Sequence, residues 1–190
     1  SILLTSLLLA FSANVDGVIG VKLGVGTLDG DRTQDASHGT AAASGSVDNE
    51  YGAIFIENAI NDVISIGLEL VPLEGQISTK DTTASDTTVF VSNLKTIYGL
   101  VPLGDSPVYG KVGYSHVDLD VDSNYDQNTV NSFDDAAHGP MIGIGAQFDS
   151  PLPFMDILRV EGTYTKFNEI GITTTDTGHA AITRKGEAEL

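Results

Sequence analysis

Ionisable side chains recur in this sequence inside stretches that are otherwise aliphatic. Lys22 interrupts V-I-G-V-K-L-G-V-G-T-L (18–28), and Glu69 interrupts V-I-S-I-G-L-E-L (63–70). Lys95 and Lys111 sit within 88–100 and 108–117, and Arg159 and Glu161 within I-L-R-V-E-G (157–162). An unpaired charge is costly to bury, so charges of both signs in apolar surroundings must meet one another. The set predicts a salt-bridge network centred on Glu69 and Glu161, with Lys22, Lys95, Lys111 and Arg159 as its cations. Such a network serves either as a solid structural core or as the gate of a narrow pore.

Other candidate chemistry is thinner. Asp118, Asp120 and Asp122 alternate in D-L-D-V-D-S-N, which has the start of a calcium loop. An EF-hand then needs Gly at its sixth position and Glu at its twelfth, where Ser123 and Thr129 stand, so a solvated acidic segment is the plainer reading. His38, His138 and His179 fall in three separate polar segments and His116 near a strand end, with no spacing typical of paired metal ligands. Tyr114-Ser115-His116 offers a nucleophile and a base, but neighbours in a strand point to opposite faces and cannot pair. No nucleophile elbow, phosphate loop or dinucleotide fingerprint occurs. The expectation is a protein that is not an enzyme and needs no cofactor or metal.

The elements that must carry these charges show a period of two. In 18–28, Ile19, Val21, Leu23 and Val25 alternate with Gly20, Lys22, Gly24 and Gly26. In 63–73, Ile64, Ile66, Leu68 and Leu70 alternate with Ser65, Gly67 and Glu69. Leu158, Val160 and Tyr164 alternate with Arg159, Glu161, Thr163 and Thr165, and Ile142, Ile144, Ala146 and Phe148 with Met141, Gly143, Gly145 and Gln147. The same rule sets Lys111 with Tyr109, Gly113 and Ser115, and Lys95 with Val91, Asn93 and Gly99. Alternation places the two sets on opposite faces of a strand. A soluble sandwich strand alternates too. Glycines around one charge, however, cover a solvent face poorly and line a narrow barrel well. About ten residues is also the length of a tilted strand crossing a bilayer. Ile19, Val21, Leu23, Val25, Ile64, Ile66, Leu68, Leu158 and Val160 are therefore expected to face lipid.

Composition agrees. No apolar run reaches the length of a spanning helix, so a membrane protein of this sequence must be a closed barrel. The net charge of −17 excludes a nucleic-acid partner, because phosphate needs the opposite sign. Connections alternate between long and short, the asymmetry of outer-membrane barrels. The long segments (29–50, 74–87, 118–138, 168–189) hold 18 of the 26 acidic residues and 4 of the 9 basic ones, so charge follows the same division. Residues 2–11, I-L-L-T-S-L-L-L-A-F, have the length of a signal-peptide core, with small residues suiting cleavage after Ser12. The expected organisation is a leader remnant over 1–12 and a barrel domain over 13–190. That domain appears one strand short, since the chain stops at E-A-E-L where an eighth strand begins.

Three stretches, P-L-G-D-S-P-V-Y-G-K-V-G-Y (102–114), G-P-M-I-G-I-G-A-Q-F (139–148) and I-L-R-V-E-G-T-Y-T-K-F (157–167), carry a family likeness as a series. From Val18 onward the chain resembles the OmpA-like, opacity-protein-like superfamily of eight-stranded outer-membrane β-barrels. The resemblance implies an all-β, antiparallel up-and-down transmembrane barrel with interior ion pairs. It also implies a bacterial outer-membrane location, with membrane lipid, lipopolysaccharide and the barrel-assembly machinery as partners. The family's last strand usually ends in an aromatic residue, whereas this chain ends at Leu190 and begins without Met, as in a partial reading frame. The expected role is structural, in envelope integrity, with acidic loops available for an unidentified surface ligand. The alternatives are a small porin-like channel and a secreted soluble β-barrel that binds an apolar ligand.

Overall fold

A computed structural model describes residues 4–13, 17–34, 43–61, 63–80, 86–123, 128–151, 156–176 and 182–189. The strands in them are β1 (Leu4–Ala13), β2 (Gly17–Gln34), β3 (Ala43–Ala59), β4 (Ser65–Lys80), β5 (Asp86–Pro102) and β6 (Val108–Ser123). They continue with β7 (Asn128–Phe133), β8 (Ala136–Asp149), β9 (Ile157–Thr165), β10 (Ile170–Asp176) and β11 (Ile182–Glu189). β2, β3, β4, β5, β6, β8 and β9 pair in that order, each antiparallel to the next. β1 lies between the two ends of this meander. Its residues Leu4–Ala10 pair with β9 and Thr5–Ala13 with β2, so the ring closes at eight strands. Closure pairs the strands around the ring, as a bilayer demands of a sheet, although β3 and β4 meet only through Ile54–Ala59 and Ser65–Leu70.

Strand β1 thus falls within the apolar stretch at the start of the sequence. Without it β2 and β9 would face each other with open edges, and an apolar decapeptide has the length to bridge them. Two segments in line pair with the same edge of β2. β11 pairs with Asp29–Gln34 of β2, and β1 pairs with Gly17–Val25 of the same strand. Beyond β11 the sheet continues through β10 to β7.

The outer wall is apolar across seven neighbouring strands of the ring, β2 to β6 with β8 and β9. Ile19, Val21, Leu23 and Val25 on β2, Ile54 and Ile56 on β3, and Ile66 and Leu68 on β4 are exposed. So are Ile97 and Val101 on β5, Val112 on β6, Ile142 and Ile144 on β8, and Val160 on β9. Ile64, just before β4, is also exposed, and Leu158 is half-buried. Side chains of these types, left exposed in a belt across seven neighbouring strands, need a hydrocarbon solvent. The fold is an antiparallel up-and-down transmembrane β-barrel.

Two sequence readings change. The polar segments at 29–49, 74–87 and 118–138 are not simply loops, because β2 runs to Gln34, β4 to Lys80 and β6 to Ser123. A strand with water on both faces has no reason to alternate, so its ladder is invisible in a hydropathy pattern. Strand β5 also differs in phase. A bulge interrupts its register with β4 and β6 between Ser92 and Lys95, and Asn93 there has φ of 53°. Asparagine tolerates this left-handed conformation better than most residues. Above the bulge Val91 packs inward; below it Thr96, Tyr98 and Leu100 do. Counting by twos through the bulge puts Lys95 inside, whereas the structure turns it outward with a half-exposed side chain.

Candidate functional site

Alternate strands of the ring each send one charge to the same level of the interior. Lys22 comes from β2, Glu69 from β4, Lys111 from β6 and Glu161 from β9, and each is at most 9% exposed. Lys22 Nζ donates to Glu69 Oε1 at 3.0 Å and lies 3.4 Å from Glu161 Oε2. Lys111 Nζ donates to Glu69 Oε2 and to Glu161 Oε2, both at 3.0 Å. The four groups form a closed cycle in which each ammonium touches both carboxylates.

A second pair lies toward the short turns. Arg159 Nη1 donates to both carboxylate oxygens of Glu57 at 2.6 Å, and Arg159 Nε donates to Gln147 at 2.7 Å. Two tyrosines tie the layers together: Tyr98 donates to Glu57 Oε1 at 2.7 Å and Tyr109 to Glu161 Oε1 at 2.6 Å. Lys111 Nζ also sits 3.8 Å above the centre of the Tyr98 ring. Among the described residues three cations and three carboxylates therefore balance in the interior, and charge-assisted hydrogen bonds take up the lone pairs that a simple ion pair would leave open.

The glycines of the inner face make room for these rings. Tyr98 pairs across the ladder with Gly67, and Tyr109 with Gly145. A Cβ on Gly67 would lie 2.4 Å from the Tyr98 ring, and one on Gly145 would lie 2.5 Å from Tyr109. Each ring lies over the backbone of the neighbouring strand, which brings its hydroxyl to a carboxylate.

Above the charged layer Thr96 and Ser115 share a hydrogen bond at 2.9 Å, and Val117, Leu119, Ala137 and Phe167 pack into an apolar layer. Below it a cavity of about 360 Å³ opens at the short-turn end, with Arg159, Glu57, Tyr109 and Gln147 among its walls. The Arg159–Glu57 pair thus forms part of the wall of this cavity. The arrangement can hold the wall shut, and among the described residues the buried charges balance one another.

Of the expected network, Lys22, Glu69, Lys111, Arg159 and Glu161 stand inside. Lys95 does not; its ammonium lies on the outer wall, 3.3 Å from Asp118 Oδ2. Glu57 is the member the sequence reading missed. Its signal is present in E-Y-G-A-I-F-I-E, where Ile54 and Ile56 face outward and leave Tyr51, Phe55 and Glu57 inside.

The other candidates lie apart from this layer. Asp118 accepts from Lys95 and lies 3.2 Å from His116 Nε2. Desolvation works to raise its pKa, but hydrogen bonds from Lys95, Asn93 and His116 outweigh it and hold the carboxyl below the usual carboxylate range. Asp120 is exposed, and the side chain of Asp122 lies outside the described residues. Among the described residues no three carboxylate or imidazole groups converge as metal ligands. Ser115 is buried inward while His116 faces out. His38 and His179 lie outside the described residues.

No protein-family model and no curated protein matches the chain. Two solved structures are similar in outline. One is Ail, the attachment invasion locus protein of Yersinia pestis, at 8% identity over 98% of this chain and 95% of that one, with a TM-score of 0.32. The other is a FadL homologue of Pseudomonas aeruginosa, at 9% identity over 95% of this chain and 63% of that one, with a TM-score of 0.35. At such identities no residue's role passes from either to this chain.

Proposed function

We propose that the protein is a non-enzymatic outer-membrane β-barrel of the OmpA-like kind, which anchors in lipid, contributes to envelope integrity and presents acidic segments for surface contact. The observation that carries this reading is the opposition of its two faces. Among the described residues an apolar belt lies outside across β2 to β6, β8 and β9, and a balanced set of buried charges with an apolar layer above it lies inside. A machine-assembled barrel in a lipopolysaccharide-containing bilayer supplies the solvent that the belt needs. The long polar segments, with 18 of the chain's 26 acidic residues, then stand clear of the membrane. The secreted, ligand-binding alternative required the aliphatic set to face inward, and it faces outward.

Refolding into lipid vesicles tests the reading. The expected product is a protease-resistant species that migrates differently on a gel before and after heating. A chain that stays soluble and monomeric without detergent would overturn it. The narrow-pore alternative keeps one observation in its favour: Lys22 and Lys111 each touch both Glu69 and Glu161, so pairs could exchange partners. Planar-bilayer recording separates the two. A plug gives no single-channel steps in wild type or in Glu69→Ala; steps appearing in the variant alone identify a gate.

A further inference from the structure

The pairing of β6 with β8 sets His116 directly opposite His138. The main chain of His138 is turned away from β6, since its N–H donates to Asn168 Oδ1 at 2.7 Å and its carbonyl accepts from Asn168 N at 2.9 Å. The two histidines are therefore a non-hydrogen-bonded pair, the kind whose side chains come closest, with Cα atoms about 4.5 Å apart. Both project from the outer wall, at the end of the barrel away from the short turns. The His116 side chain is 45% exposed and His138 is exposed. The Tyr114 ring, 5.9 Å from His138 centre to centre, flanks the pair on the membrane side.

We propose that His116 and His138 are the two protein ligands of a divalent transition-metal site on the outer rim. Imidazole nitrogen is a good donor to zinc, copper and nickel ions, and two such donors on facing strands chelate one ion without moving the backbone. The Asp118 carboxylate, 3.2 Å from His116 Nε2, holds that nitrogen as the proton donor. It thereby leaves the lone pair on Nδ1, the carboxylate–histidine–metal arrangement that fixes tautomer and ring orientation. Water completes the coordination shell at this exposed position. Lys95, whose ammonium shares Asp118, is the nearby charge that opposes a cation, so the site is one of moderate affinity.

The test is calorimetric titration of the refolded full chain in detergent micelles with zinc ion, and separately with calcium. The expected result is one zinc per chain, abolished in His116→Ala and in His138→Ala singly. Asp118→Asn should weaken binding by about tenfold or more, and the double variant His38→Ala/His179→Ala should leave it intact. Both rim histidines are exposed, and heat-modifiable gel mobility verifies that each variant folds. Three outcomes would overturn the proposal: no zinc heat in folded wild type, zinc binding unchanged in either rim variant, or calcium competing on equal terms. The last would assign the heat to the acidic segments.

Discussion

Lys111 and Lys95 stand on adjacent strands of one barrel, and each has a carboxylate partner near 3 Å, yet they are different kinds of residue. The Lys111 side chain is 1% exposed and is held by Glu69, by Glu161 and by the face of Tyr98. The Lys95 side chain is 55% exposed and has Asp118 at 3.3 Å. Distance alone does not rank them. Inside, water cannot replace a lost partner, so removing one member strands the others; outside, water takes the vacancy at once. The interior pairs thus specify one arrangement of strands, while the exterior pair trims a surface.

The largest expected effect follows from breaking the interior balance. Glu161→Gln keeps the volume but leaves Lys22 and Lys111 sharing Glu69, and it turns the Tyr109 hydroxyl toward a weaker acceptor. The loss is expected at about 3–5 kcal/mol, as for one partner removed from a buried pair. It reads out as a lower urea midpoint for the barrel in vesicles. Adding Lys111→Met restores neutrality and should recover a large part of the loss. If the double variant is no better than the sum of its parts, the charges are not acting as a unit.

A smaller effect is expected from the glycines that let the tyrosines lie flat. In Gly67→Ala the new methyl would meet the Tyr98 ring, which is itself held by Glu57. Overpacking of this kind costs about 1–3 kcal/mol. Because Tyr98 also covers Lys111, the same variant should loosen the charged layer. Combining it with Tyr98→Leu, which frees the space, should reduce the penalty. An unchanged unfolding midpoint in Gly67→Ala would show that ring and glycine are not in contact.

These residues also mark what was legible in the sequence. On β2, β4, β8 and β9 an aliphatic or aromatic row carries no charge, so the membrane's preference fixes the phase and places Lys22, Glu69, Arg159 and Glu161 inside by elimination. On β3 and β5 both faces carry apolar or aromatic residues, and hydropathy cannot choose between them. There the phase depends on partners across the ladder, such as Tyr98 over Gly67, and on the bulge at Asn93. Glu57 and Lys95 changed places for that reason. The meeting of His116 with His138 depends on the register of two strands separated by a polar segment, and nothing in either strand's own pattern reports it. The pairing of β1 with β2 and β9 is not legible either, because a ten-residue apolar run has the length of a leader core and of a barrel strand alike.

The exterior pair gives the smallest effects, and these sharpen the contrast from the other side. Lys95→Ala should change stability by no more than about 0.5 kcal/mol, the scale of a solvated ion pair, and less still in high salt. Its clearer signature is in titration. With the folded carboxyl of Asp118 held below its unfolded value, the linkage has a definite sign. The contribution is present above the ordinary carboxylate range and is lost as the pH falls through the folded value. Lys95→Ala removes the hydrogen bond that does most to hold the value down, so the Asp118 titration followed by NMR should move upward, toward an ordinary aspartate. A midpoint that stays depressed without the lysine would assign the effect to Asn93 and His116. The bulge itself, rather than the ion pair, would then be what organises the outer rim.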